Sequence, residues 1–553
     1  MTINRRMFLK GSTALAAALP VMKSYAGGHM PFQHGVASGD PLSDRVILWS
    51  RITPDVDPLF ADANVPYRWE IALDPAISSI VNQGSGITGP DVDFTVKVDA
   101  GQLLPGTTYY YRFYSNGVAS PTGRTRTLPV NHVERLRIAF CSCSNYPMGF
   151  FNVYREIAAR ADLDAVLHLG DYIYEYGPGG FGTDTGLGRD PVPAKDIVAL
   201  QDYRQRYAQY RGDPDLQEAH RQHPFICIWD DHETADNAWY GGAANHDPAT
   251  QGDWFARRSA ANRAYFEWMP IRDNGLIDQF GDHTIYRQFR FGDLVDLFML
   301  DTRILARDKQ ADWGDQATAD DINRSLLGFE QEQWLNNGLS RSQSQGVRWR
   351  VLGQQVMMAQ LSLADDVSIN MDQWDGYTAT RDRLFNYVAD RNIDNFMVLT
   401  GDIHSSWAFD LTPNPFNLLS YGRLSGRGAL GGEFVTPGVT STFLEKSPLT
   451  TVASIALGGG LPHLKWTDIT QRGYVLLDID HRRTKAHWYH VDTVESRQYN
   501  AYLAKIFRQN AGENHIRPAF VEAPVVADAA PLAPAYGVEL TQWLRNWWNR
   551  FSA

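Results

Sequence analysis

Four short segments place reactive side chains directly behind apolar runs. Cys141-Ser142-Cys143-Ser144-Asn145 follows one run, and Gly170-Asp171-Tyr172-Ile173-Tyr174 follows a second. Asp230-Asp231-His232-Glu233 follows a third, and Gly401-Asp402-Ile403-His404 a fourth. Each segment alone has a plain structural use. An Asp after Gly caps a helix or closes a turn, and a Cys can pack as a small hydrophobe. Together they supply thiol, phenol, imidazole and carboxylate at four corresponding places, and open α/β sheets do their chemistry where strands end. That coincidence points to a metal site.

The elements needed to position these segments are legible around them. From Leu136 onward, apolar runs at 136–142, 165–170, 225–229, 295–300, 349–354 and 395–400 read as buried strands. Helix-like stretches such as "FFNVYREIAAR", "ARRSAANRAYFEWM" and "FEQEQWLNNGLS" lie between them, as in an α/β domain. "GYVLLDID" and "KAHWYHV", near 473–491, read as antiparallel strands at a sheet edge. Residues 30–130 differ: "DRVILWSRI", "VPYRWEIAL", "DFTVKVDA" and "TTYYYRFYSNG" alternate and are broken by Pro, Gly, Asp and Asn. They predict a fibronectin-like β-sandwich ahead of a catalytic domain over 135–525. In 536–553, Leu544, Trp547, Trp548 and Phe551 share one helical face, which predicts a packed terminal helix.

Residues 1–26 are expected to be a cleaved signal. Arg5-Arg6, then Phe8-Leu9-Lys10, a modest apolar run and Ser24-Tyr25-Ala26 fit the twin-arginine export machinery, which carries folded proteins. The apolar run is shorter than the ~20 residues that span a bilayer, so no stable membrane anchor is expected. The mature chain would be periplasmic or secreted. Its only cysteines are Cys141, Cys143 and Cys227, an odd count that leaves at least one thiol unpaired. The 553-residue chain is 44% hydrophobic and carries a formal charge of -12. It can therefore build large cores, and with no basic patch in 30–130 it is not expected to contain a nucleic-acid binding module.

The four segments, together with "EFVTPGVTS" and "HLKWTDITQRGY", resemble the PhoD-type alkaline phosphatases, a branch of the calcineurin-like metallophosphoesterases. "SCSNYPMGFFNVY", "HLGDYIYEY", "WDDHETADN" and "GDIHSSW" carry the resemblance in order, and it spans nearly the whole mature chain. It implies a four-layer α/β catalytic fold. It further implies that Cys143, Asp171, Tyr174 and His404 hold ferric iron, with Tyr174 as a phenolate. Asp171, Asp231 and Asp402 would face calcium, as one ion or two. Thiolate and phenolate suit ferric iron, and carboxylate oxygens suit a hard cation. Cys141 shares a strand face with Cys143, and "CSNY" selects Cys143 through the family block. Cys227 is expected to be buried packing and His168 a core histidine.

By the same resemblance His232 acts on phosphate, stabilising its charge or protonating the leaving oxygen, while Asp230, Glu233 and Asn237 support the ligands. Gln354 or Gln355 could touch substrate or water, and the sequence does not choose a phosphate-binding arginine among Arg204, Arg287, Arg303 and Arg472. The function so implied is an exported phosphoric-ester hydrolase, a phosphomonoesterase or phosphodiesterase, in which a metal-bound hydroxide attacks phosphorus in a small-molecule or polymer phosphate ester. The alternatives are a phospholipase D-like phosphodiesterase and a non-catalytic surface protein that binds phosphate or metal.

Overall fold

Successive residues of the strands Phe396–Thr400 and Trp349–Gln354 face different cores. Val351, Met397 and Leu399 pack toward one core, while Leu352, Phe396 and Val398 pack toward another. This period of two, apolar on both faces, marks a sheet covered on each side. The structure is a computed structural model and describes residues 31–53, 64–183, 185–362, 368, 370–445, 447, 450 and 460–535. The expected signal at 1–26 and terminal helix at 536–553 lie outside these residues.

Two large sheets carry the four reactive segments at their strand ends. The first has ten strands, in the order Ile516–Pro518, Ala501–Asn510, Arg483–Val491, Arg472–Asp480, Arg135–Cys141, Ala165–His168, Pro224–Cys227, Val36–Gly39, Val46–Arg51 and Thr95–Ala100. The second has seven, in the order Arg287–Phe291, Val295–Met299, Trp349–Gln354, Phe396–Thr400, Gly431–Val435, Ser406–Leu411 and Leu464–Asp468. The central strands of each pair in parallel, so their carboxyl ends lie together. Leu297, Met299, Val351 and Leu399 of the second sheet share a core with Ile138, Phe140, Leu167 and Leu169 of the first. Helices Asn152–Ala158, Leu200–Arg211, Pro214–Gln222 and Trp254–Trp268 cover the first sheet, contributing Val153, Tyr203, Leu216 and Ala261 to that core. Helices Phe329–Ser344 and Thr378–Asp390 cover the second through Leu335, Leu339, Leu384 and Phe385. The result is the expected helix, sheet, sheet, helix layering.

Two readings need correction. The strands Arg472–Asp480 and Arg483–Val491 are antiparallel but not at an edge, because Ala501–Asn510 and Ile516–Pro518 extend the sheet beyond them. The N-terminal sandwich is also not closed on itself. One of its layers is the five-stranded sheet of Val65–Ala72, Ile80–Thr88, Thr108–Ser115, Val118–Ala119 and Gly123–Arg126. The other, Val36–Gly39, Val46–Arg51 and Thr95–Ala100, continues the first of the large sheets through a parallel pairing of Ser38 with Pro224. Val36, Leu48 and Val96 meet Ile71, Tyr111 and Phe113 in a core of their own.

Candidate metal centre

The turns after the parallel strands hold the reactive side chains, and their backbones are forced into the left-handed region. Cys143, Asp171, Asp402 and His404 have φ values of 62°, 55°, 61° and 55°. Non-glycine residues adopt this conformation at a cost, and it concentrates where function over-determines the backbone. Gly170 must be glycine, since at its φ of 105° a Cβ would lie 2.4 Å from the Cβ of Asp230. The buried Glu233 carboxylate ties two of the turns together. Its oxygens accept from the backbone N–H groups of Asp171 (3.0 Å), Tyr172 (2.6 Å) and Asp230 (2.8 Å). Burial and the nearby Asp171 push its carboxyl up to about 8, against the pull of those donors.

Cys143, Asp171 and His404 bring a sulfur, a carboxylate oxygen and a ring nitrogen within 4.8 Å of one another. The Tyr174 phenol joins them, donating to Asp171 Oδ2 at 2.9 Å and lying 3.0 Å from His404 Nε2. Ser441, inside "EFVTPGVTS", donates to the phenol oxygen at 2.8 Å. Burial, reinforced by Asp171, pushes both the Cys143 thiol and the Tyr174 phenol well above their ordinary values. A cation is what would bring these groups to their charged, ligating forms. Cys141 is excluded from the centre: it points into the core and its sulfur lies 3.8 Å from the Leu167 carbonyl. Cys227 is buried packing as expected, and His168 is a core histidine bonded to the Tyr154 hydroxyl at 2.8 Å.

A second cluster adjoins the first. Asp171, Asp231 and His232 form one close group, and Asp230, Asp231 and Asp402 another. Asp171 thus belongs to both the thiol-containing group and the carboxylate-rich one. The fully buried Arg303 pairs with Asp230 and Asp402, lies 3.6 Å from Asp231 and holds Asp372 at 2.8 Å. Burial, with the neighbouring carboxylates, raises Asp402 to about 6 despite Arg303. Asp231 behaves oppositely: against the cost of burial, Arg303 and His232 hold it below the usual carboxylate range. Asp171 Oδ1 and Asp230 Oδ2 are buried without a protein hydrogen-bond partner. Unpartnered buried carboxylate oxygens beside a thiol, a phenol and an imidazole fit a pair of cations.

His232 is held by Glu175, which lies 2.7 Å from its Nδ1. The carboxylate of Glu175 also accepts from the Asp236 N–H and the Asn245 amide, at 2.7 and 2.9 Å. Although burial disfavours charge, Asp231, Glu175 and Asp171 raise His232 well above the ordinary histidine range. Its ring stacks on Tyr174 at 4.1 Å between centroids. Asn237 supports Asp231, donating its N–H to Oδ2 at 2.7 Å.

Other expectations fall away. Gln354 donates to Thr400 Oγ1 and accepts from the Trp374 indole, and Gln355 binds the carbonyls of Trp229 and Leu300. Both are fully buried and committed to the scaffold, so neither is placed to meet substrate. Arg204 pairs with Glu267, Arg287 with Asp40 and Arg472 with Glu445, which leaves Arg303 as the arginine of the cluster. Glu175 and Asp372 were not read from the sequence as site residues. Glu175 stands one residue after Tyr174 in "DYIYEY" and was open to inference; Asp372 lies in no motif. A cavity of about 570 Å³ lined by Lys97, Phe266, Glu267 and His283 contains none of the side chains of the two ligand clusters.

The chain is similar to known proteins over most of its length. The family model described as PhoD-like phosphatase matches residues 138–488, and that for the PhoD-like phosphatase N-terminal domain matches residues 16–129. Alkaline phosphatase D of Bacillus subtilis (strain 168) is 39% identical over 468 residues, covering 80% of this chain and 76% of the relative. A solved structure of PhoD superposes with a TM-score of 0.80 at 35% identity, covering 90% of this chain and 94% of the other. Fold, turns and sequence together show that the chain belongs to the PhoD-like phosphatase family.

Proposed function

We propose that the chain hydrolyses phosphoric esters with the help of ferric iron and calcium, and that it does so after export. Family membership supports the reaction class, an alkaline phosphatase activity. The observation that carries the metal reading is the double membership of Asp171, whose carboxylate sits among Cys143, Tyr174 and His404 on one side and Asp231 and His232 on the other. The soft and phenolic donors suit iron, whereas Asp231 and Asp402, with Asp171, suit calcium. Bound there, the cations would polarise the phosphoryl oxygens and acidify a water.

The chain's own residues do the rest. Glu175 fixes the His232 ring, and from that position His232 can donate to an ester oxygen or stabilise its developing charge. Arg303 offsets the mutual repulsion of Asp230, Asp231, Asp372 and Asp402, which keeps them converged.

Arg5-Arg6 support export of the folded chain by the twin-arginine route. Loading Cys143 before export would shield its sulfur from oxidation outside the cytoplasm. Replacing residues 1–26 by a signal for unfolded secretion should therefore yield metal-poor, inactive protein. Full iron content and activity from that route would defeat the loading argument. The activity itself is tested with Asp171→Asn, which should lose metal and hydrolysis of both a monoester and a diester together. Retention of both by the variant would remove Asp171 from the centre.

A further inference from the structure

A separate group of ligand atoms lies at the other end of the sheets. His132, Asp293 and His481 come from three distant segments, yet their ligand atoms lie within 4.8 Å of one another. His132 belongs to the linker before strand Arg135–Cys141, and Asp293 to the turn between Arg287–Phe291 and Val295–Met299. His481 sits in the hairpin between Arg472–Asp480 and Arg483–Val491. All three are at the amino ends of the parallel strands, whereas the catalytic turns are at the carboxyl ends.

The geometry is fixed by backbone contacts and not by the side chains alone. The N–H groups of Gly292 and Asp293 donate to the carbonyls of Pro129 and Asn131 at 3.2 and 2.9 Å. The Val133 N–H donates to Asp293 Oδ1 at 2.9 Å. The linker presses so closely that a Cβ on Gly292, whose φ is 54°, would lie 2.2 Å from the Asn131 oxygen. Upon this frame His132 Nδ1 is 2.9 Å from Asp293 Oδ2, and His481 Nε2 is 3.6 Å from Asp293 Oδ1. The two imidazoles stack with centroids 4.8 Å apart and planes 16° from parallel. His481 Nε2 also lies 3.0 Å from the Val133 carbonyl.

We propose that His132, Asp293 and His481 form a zinc site that staples the linker to both sheets. Tetrahedral zinc at its usual bond lengths needs ligand atoms roughly 3.3 Å apart. The two observed nitrogen-to-oxygen distances, 2.9 Å to Asp293 Oδ2 and 3.6 Å to Oδ1, straddle that value, and the stacked imidazoles must swing out of their near-parallel arrangement to converge on one ion. Two imidazoles and a carboxylate are a zinc donor set, with water in the fourth position, and are poor in oxygen for calcium or magnesium. Zinc must take His481 Nε2 without its proton, which the neutral ring then carries on Nδ1, and the Val133 contact is exchanged for a metal bond.

The test uses the purified enzyme with its catalytic ions in place. Zinc chloride is titrated calorimetrically into the wild type, His132→Ala and His481→Gln, the glutamine retaining a donor for the Val133 carbonyl. The wild type should take up zinc, its zinc-edge X-ray absorption should show imidazole ligands, and its unfolding temperature should rise with zinc. Each variant should bind zinc more weakly by at least the roughly 10–100-fold that loss of a supporting partner costs, and lose the temperature rise. Turnover without added zinc should be the same in all three. The proposal is overturned if the variants take up zinc as the wild type does, which places that zinc in the catalytic centre. It is equally overturned if the wild type binds none beyond its catalytic ions.

Discussion

Glu233 offers a quantitative probe of how the catalytic turns are built. One of its oxygens, Oε2, accepts from both Asp171 and Asp230 N–H, at 3.0 and 2.8 Å, and the other, Oε1, accepts from Tyr172 N–H at 2.6 Å. Glu233→Gln preserves the shape but only one acceptor oxygen. If the amide keeps its oxygen toward the paired donors, its NH2 meets the Tyr172 N–H donor to donor. A hydrogen bond is then lost and a buried N–H orphaned, a cost of about 2–4 kcal/mol. For a chain of this length, whose unfolding entropy scales with residue number, that is a fall in Tm of about 2–4 °C. Because the disturbed N–H groups belong to the turn bearing Asp171, iron should leave the variant faster on chelation. Glu233→Ala, which orphans all three donors, should be worse on both counts. Differential scanning calorimetry and timed chelation of the loaded enzyme read the two effects. An unchanged Tm with unchanged iron retention in Glu233→Ala would refute the idea that this carboxylate positions the turns.

Three further outcomes follow from the same geometry. His232→Ala should keep the metals and lower turnover by about 10²-fold or more, the scale of a lost general acid, and loss of metal would make His232 a ligand instead. Arg303→Met strands the buried Asp230 and its neighbours without a counter-charge and should cost about 3–5 kcal/mol in thermal unfolding, an effect that added calcium should partly reverse; a neutral result would deny Arg303 its organising role. Acid should unfold the protein early, because burial holds His168, His223 and His463 down to about 3 in the fold. The unfolded chain binds those protons near pH 6.5, so stability is present above that pH and falls as the pH drops toward 3, by up to about 1.4 kcal/mol per unit for each ring. His223→Leu should flatten the slope of the unfolding free energy with pH.

The site was legible where local pattern and chemistry coincide. "AVLHLGDYIY" shows an apolar strand, a glycine turn and an acid in sequence because a doubly covered parallel strand leaves no polar position until it ends. Between Cys141 and Cys143 only the family block "CSNY" chooses, and the physical reason behind it is the left-handed turn at Cys143, which brings its sulfur close to Asp171 and His404. Arg303 stood among equals in sequence because an arginine's partner is set by the sheet crossing that delivers it. The expected edge strands at 473–491 failed for a related reason. Alternation in a strand does not say whether another strand, here Ala501–Asn510, will pair with it. Likewise, short alternating strands predicted the sandwich but could not show that Val36–Gly39 pairs with Pro224–Cys227 and fuses its layer to the catalytic sheet.

The central claim is that Cys143, Asp171, Tyr174 and His404 hold ferric iron next to a calcium-binding carboxylate group. Elemental analysis of the active enzyme, taken together with its visible spectrum, addresses it most directly. Iron and calcium should accompany activity through purification, with a phenolate-to-iron charge-transfer band that disappears in Tyr174→Phe. Active enzyme containing only zinc, with no visible band, would contradict the assignment.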